Sequence, residues 1–182
     1  SGRLTTWVGV GGSPQSVVRA ARHELPLMIA IIGGNSARFR PFVDLYHRVL
    51  DESGSPRLPV GVHSPGHVAP TDREAREQLH PHFKAIRDRI GAERGWGPMR
   101  PGEFEAMAGP NGSLYVGSPE TVAAKIAATA TALDLDRLDM KYSDGALPHD
   151  AMLRSIELYG TEVIPRVREL LASTDAAAPV TV

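Results

Sequence analysis

The residues best placed to do chemistry in this chain lie in one short run, Gly11-Gly12-Ser13-Pro14-Gln15-Ser16. A β-rich stretch leads into it and a helix-forming stretch leads out. The run therefore puts free backbone N–H groups, the positive end of a helix dipole and two hydroxyls around one point. Such a mouth suits an anion, above all a phosphate. Ser13 is a good N-cap, Pro14 suits the first helical position, and Ser16 lies three residues on, facing the same mouth. Gly11 and Gly12 let a phosphate come close to the backbone. The same residues also make a plain helix cap, and the pattern alone does not choose between the two. It is neither a Walker loop nor a Gly-x-Gly-x-x-Gly dinucleotide fingerprint. A second run, Gly117-Ser118-Pro119-Glu120-Thr121-Val122, echoes Gly12-Ser13-Pro14-Gln15-Ser16-Val17. Either duplication or the common grammar of helix starts explains the echo.

Seven histidines raise the question of a metal. Their spacing speaks against one: His80 and His82 are two apart on a charged helix, and His47 and His149 fall at expected surface positions. No metal site is assigned. His63 and His67 differ, because they follow a strand whose carboxyl end opens onto the side where turns and helix starts gather. A neutral imidazole there can hydrogen-bond a substrate, so His63 is the candidate catalytic residue, with satisfaction of loop carbonyls as the alternative. Asp139 and Lys141, alternating with Leu138, Met140 and Tyr142, could form an interior charge pair and receive no chemical role.

These groups need a scaffold to hold them. Leu4 to Val10 reads as a strand, and Val17, Val18, Ala20 and Ala21 give the next helix an apolar face. Leu25 to Ile32 is a near-continuous apolar run of the kind buried on both faces in parallel sheets. Gly33-Gly34-Asn35-Ser36 then turns into a helix carrying Phe39, Phe42, Val43, Tyr46, Val49 and Leu50. Leu58 to Val62 makes a third strand, continuing toward Pro70, and a charged helix follows from Asp72 to about Ile90. Gly91 to Gly112 is rich in breakers, with a short helical patch at Glu103 to Ala108. A stretch this long between core elements is more often functional or mobile than accidental. An Ala-rich helix (Val122 to Leu133), a fourth strand (Leu135 to Tyr142), a turn at 143–145 and a helix from His149 to about Ala172 complete the chain. Pro165 should kink or split that last helix. Four strand–helix units in succession imply right-handed crossovers and an α/β fold.

Composition narrows the function classes. The 182 residues suffice for one domain that buries about 70% of its unfolded surface. A formal charge of −1 with no basic block, and only 5% aromatic residues, argue against nucleic acid as partner. The absence of cysteine excludes disulfides, thiolate metal sites and thiol nucleophiles. No apolar run is long enough to span a bilayer, so no membrane association is expected and the cytoplasm is the expected compartment. The chain opens on Ser1 rather than methionine, which suggests a piece of a larger protein.

The stretch from Trp7 to Leu27, with its Gly-Gly-Ser-Pro-Gln-Ser core, resembles the middle of the bacterial-luciferase-like flavin-dependent monooxygenases. Leu58-Pro59-Val60-Gly61-Val62-His63 and Val116-Gly117-Ser118-Pro119-Glu120-Thr121-Val122-Ala123 resemble later segments of that family in the same order. The resemblance runs from Trp7 to about Leu171. It implies the C-terminal half of a (β/α)8 TIM barrel, barrel strands five to eight, over residues 1–174. An insertion at about 71–116 precedes the helix that leads into the last strand, and residues 175–182 form a flexible tail. The resemblance also implies a mobile lid at Gly91 to Gly112, with Trp96, Met99 and Phe104 as its apolar contacts, and a packing or partner surface is the alternative. Reduced FMN is the implied cofactor, its phosphate on Gly11, Gly12, Ser13, Gln15 and Ser16. The implied reaction oxidises a small organic substrate with oxygen, and a flavin reductase supplies the reduced flavin. Two other readings stay open: a deazaflavin-dependent hydride-transfer enzyme sharing the phosphate loop, and a non-catalytic flavin-binding half-barrel. Four strands cut from a circle leave two open edges, so a homo-oligomer is expected.

Overall fold

The computed structural model describes residues 4–143 and 145–177. Ser1 to Arg3, Asp144 of the expected turn and residues 178–182 of the expected tail lie outside the described residues. The strands are β1 (Val8–Val10), β2 (Leu27–Ala30), β3 (Val60–Val68), β4 (Tyr115–Gly117) and β5 (Arg137–Lys141), all pairing in parallel. The register runs Val8 beside Leu27, Ile29 beside Val62, and His63 beside Asp139. Chain order and spatial order thus agree across β1, β2, β3 and β5.

The helices are α1 (Pro14–Arg22), α2 (Arg40–Glu52), α3 (Asp72–Arg94), α4 (Glu103–Ala108), α5 (Pro119–Leu133), α6 (His149–Leu158) and α7 (Ile164–Ala177). Val17, Ala20 and Ala21 of α1 and Val43, Tyr46 and Leu50 of α2 pack on Val10, Leu27, Ile29, Val60 and Val62. Val122 and Ile126 of α5 and Leu158 of α6 pack on the Leu138 and Met140 side of β5. Leu138 belongs to both clusters, so these helices cover one and the same face of the sheet. A doubly wound sheet would reverse its strand order and carry helices on both faces; a barrel segment does neither.

The other face carries Gly9, Met28, Gly61, His63, Arg137 and Asp139 by strand alternation. Burial of the Leu25 to Ile32 strand on both faces is therefore not observed. Leu27, Ile29 and Ile31 are buried under the helices, whereas Met28 and Ala30 are half-buried and Ile32 is 61% exposed. Met28 folds over Gly61 on this face, and a Cβ there would lie 2.9 Å from the Met28 methyl group, so that side chain would have to move aside.

The expected insertion is well built. Leu79 of α3, Met99, Phe104 and Ala108 of α4, Leu114 and Val116 form a second core. Met99 and Phe104 are thus structural residues and not lid contacts; only Trp96, 45% exposed, remains at a mouth. Lys125 of α5 reaches back to donate hydrogen bonds to the carbonyls of Gly109 (2.6 Å) and Leu114 (2.7 Å). Burial, with Arg76 nearby, pushes its ammonium pKa down to about 8. Strand β4, just ahead of the Ala-rich helix and not expected as a strand, pairs with Gly66 to Val68. Pro165 falls where expected: a π-helical turn at Tyr159–Val163 separates α6 from α7. Among the described residues, no helix is long and apolar enough to cross a membrane.

Candidate functional site

Parallel strands direct their carboxyl ends, and the loops that follow, to one rim, where (β/α) folds place their sites. Two features of that rim matter.

The first is the loop after β1. Gly12 adopts φ +115°, a conformation open to glycine, and a Cβ at Gly11 or Gly12 would meet nothing within 4 Å. Ser13 is the extended N-cap of α1, yet its hydroxyl caps no helical N–H. It donates instead to the Gln15 side-chain oxygen at 2.9 Å. The N–H groups of Ser16 and Val17 turn back to the Ser13 carbonyl (3.1 and 3.2 Å), and Pro14 has none to give. Among the described residues the N–H groups of Gly12, Ser13 and Gln15 have no backbone acceptor. The Ser16 hydroxyl receives a hydrogen bond from Arg19 at 3.3 Å. Gly11, Gly12, Ser13, Gln15 and Ser16 therefore sit together at one exposed mouth, with Arg19 as an unforeseen cation beside them. The 3.6-residue helical period could have found Arg19, since it lies one turn beyond Ser16.

The echoed loop before α5 shows what such a mouth can hold. The Asp72 carboxylate accepts a hydrogen bond from the Ser118 N–H at 2.7 Å and another from the Thr121 hydroxyl at 3.0 Å. Ser118 and Thr121 occupy the places that Ser13 and Ser16 hold before α1. Burial opposes the charge. Hydrogen bonds from Ser118 and Thr121, with Arg76 nearby, nevertheless hold the Asp72 carboxyl below the usual carboxylate range. An anion from the chain itself fills this second mouth. The donor set around Ser13 and Ser16 is of the same chemistry, with an added guanidinium, and suits a phosphate.

The second feature is a cavity of about 610 Å³ at the carboxyl ends of β2, β3 and β5. Ile32, Phe83, Ile86, Ile90, Trp96 and Met107 supply its apolar wall. His63, half-buried, reaches it from β3, and Lys141 reaches it from β5. None of residues 11–16 lines this cavity, so the structure groups the loop residues together and leaves His63 in a separate chamber. His67 parts from His63: it is fully buried, with its Nε2 2.7 Å from the Gln78 side-chain oxygen of α3. Asp139 pairs with Arg137 at 2.7 Å rather than forming an interior pair with Lys141.

The luciferase-like monooxygenase family model matches residues 3–135. The chain belongs to that family. Among solved luciferase-like folds it is similar to the monooxygenase RslO1 of Streptomyces bottropensis, at 19% identity and a TM-score of 0.70 over 88% of this chain and 47% of that one. The oxygenating constituent of 3,6-diketocamphane monooxygenase of Pseudomonas putida, solved with FMN, gives 20% and 0.65 over 88% and 48%. The coenzyme F420-dependent tetrahydromethanopterin reductase of Methanopyrus kandleri gives 19% and 0.60 over 88% and 50%. The chain thus spans about half the length of these luciferase-like structures, and its fold is half of their barrel. A search of curated proteins found no match.

Proposed function

We propose that the loop Gly11, Gly12, Ser13, Gln15 and Ser16 holds the phosphate of reduced FMN, and that the chain serves an oxidoreductase acting on a small organic substrate. The observation that carries this reading is the mouth before α1: its Ser13 hydroxyl caps nothing, and its twin before α5 holds a carboxylate. When bound, the flavin supplies the electrons for oxygen activation. The chain's own part is to grip and to shelter. The Ser13 and Gln15 N–H groups and the two serine hydroxyls bind phosphate oxygens, and Arg19 adds charge. The apolar wall of the strand-end cavity excludes water from the substrate. His63 offers that substrate a hydrogen bond from β3.

A deazaflavin reading is favoured by one finding, the F420-dependent enzymes among the similar structures. It would use the same phosphate grip. A non-catalytic flavin-binding half-barrel keeps the grip without turnover. A flavin reductase as supplier of reduced FMN, and pairing of two copies through the open edges of β1 and β5, complete the proposal.

Anaerobic titration with FMN and with F420, followed by oxygen uptake with the preferred cofactor, separates these readings. FMN binding that Ser13→Ala/Ser16→Ala weakens, with oxygen uptake, supports the first. F420 binding without uptake supports the second, and FMN binding without uptake supports the third. Binding of neither cofactor, or FMN affinity unchanged in the double variant, contradicts the phosphate assignment.

A further inference from the structure

The wall of the strand-end cavity carries a charge imbalance. Among the described residues that line it, Arg87, Arg94 and Arg100 stand against one carboxylate, Glu103, while Lys141 has a partner of its own. Glu103 is committed: one of its oxygens accepts from Arg87 at 3.1 Å, and the other accepts from the Arg100 N–H at 3.1 Å. The Arg87 guanidinium also donates to the Gly97 carbonyl. Asp88, behind that wall, is held by Lys84 and the Met99 N–H. Arg94 is different. It lies 5.4 Å over the Trp96 ring, and among the described residues no ion pair joins it to a carboxylate. The Arg100 side chain is 87% exposed, and its Nε sits 3.7 Å from Glu103.

An apolar chamber with guanidinium groups at its rim matches one kind of molecule. From this we infer that the cavity selects an organic monoanion, an aliphatic or aromatic body ending in a carboxylate. The body lies against Phe83, Ile86, Ile90 and Met107, and Arg94 and Arg100 receive the carboxylate. Arg94 is positioned for this by its stacking on Trp96, which fixes the guanidinium without spending its N–H groups. A planar fork of donors matches two carboxylate oxygens. The cavity's volume is that of sites for medium-sized organic ligands. The inference rests on the reading of this cavity as the substrate chamber, but its test uses no flavin.

Calorimetric titration of the whole chain with decanoate and with decanol, at low salt, reads the selectivity directly. Decanoate should bind about tenfold or more tighter than decanol, as a charge-assisted pair implies. Arg94→Gln/Arg100→Gln should erase that preference while leaving decanol affinity as it was. Both side chains are exposed, so folding is expected to survive, and circular dichroism checks it. Arg94→Glu should invert the preference. Equal binding of the two ligands by the unaltered chain, or a carboxylate preference that persists in the double variant, overturns the inference. Loss of FMN binding in Ser13→Ala/Ser16→Ala leaves these titrations untouched, so the two proposals fail separately.

Discussion

The mouths before α1 and α5 use nearly the same residues, Gly-Ser-Pro-Gln-Ser-Val and Gly-Ser-Pro-Glu-Thr-Val, to different ends. Before α5, Ser118 caps its helix by accepting from the Thr121 N–H, and Asp72 closes the mouth from α3. Gly117 is needed there, because a Cβ would stand 2.7 Å from the Asp72 carboxylate. Before α1, no carboxylate arrives, the Ser13 hydroxyl caps nothing, and the space beside Gly11 and Gly12 is open. One mouth is a clasp between α3 and α5; the other we propose to be a receptor for the FMN phosphate. The comparison teaches that the same glycine–serine helix start can close on a carboxylate of its own chain or be left with its donors open. Whether it serves stability or binding depends on what the rest of the chain brings to it.

The largest expected effect comes from breaking the clasp. Asp72→Ala removes two hydrogen bonds to a carboxylate and leaves a half-buried N–H without its acceptor, so unfolding free energy should fall by about 2 kcal/mol or more in denaturant titration. Gly117→Ala should be destabilising through its clash, whereas Gly11→Ala should leave the melting temperature where it is. On the receptor side, Ser13→Ala/Ser16→Ala should weaken FMN by about 2 kcal/mol or more without a change in stability. A fall in stability there as large as for Asp72→Ala would erase the distinction between the two mouths.

Acid should also tell them apart. The Asp72 carboxyl titrates lower in the folded chain than in the unfolded one, so its stabilising contribution is complete above the unfolded value of about 4. It is lost as pH falls through the folded value. Asp72→Asn should flatten the acid limb of stability against pH, and an unaltered limb would count against the clasp. Lys125 runs the other way. Its pKa falls from about 10.5 unfolded to about 8 folded, so the unfolded chain binds the extra proton between those values and stability rises with pH across that window. Lys125→Met should abolish that rise, seen as a melting temperature that no longer climbs between pH 8 and 10. The smallest effect is that of Arg19→Ala, a several-fold loss of FMN affinity from one exposed cation.

Local signals made much of this legible in the sequence. The strand, glycine turn and helix at Val8 to Arg22, and the six-residue helix at Glu103 to Ala108, follow from periodicity and caps. The turn at Gly11 to Ser13 and the helix start at Pro14 follow from the same grammar. Long-range pairings were not legible. Asp72 reaches Ser118 from 46 residues away, and β4 has three residues that become a strand only beside Gly66 to Val68. Met99 and Phe104 look like lid contacts among glycines and prolines, yet Leu79 and Leu114 enclose them. The half-burial of Met28 and the exposure of Ile32 were hidden for a related reason: an apolar run does not say which of its faces the helices will cover.

The receptor assignment is tested most directly by following backbone amide resonances of the uniformly 15N-labelled chain during titration with FMN and, separately, with riboflavin. The account predicts that FMN shifts the amides of Gly12, Ser13 and Gln15, that riboflavin, lacking the phosphate, does not, and that Ser118 and Thr121 stay put with both. Equal shifts at the two mouths, or shifts at Gly12 to Gln15 that riboflavin reproduces, would contradict it.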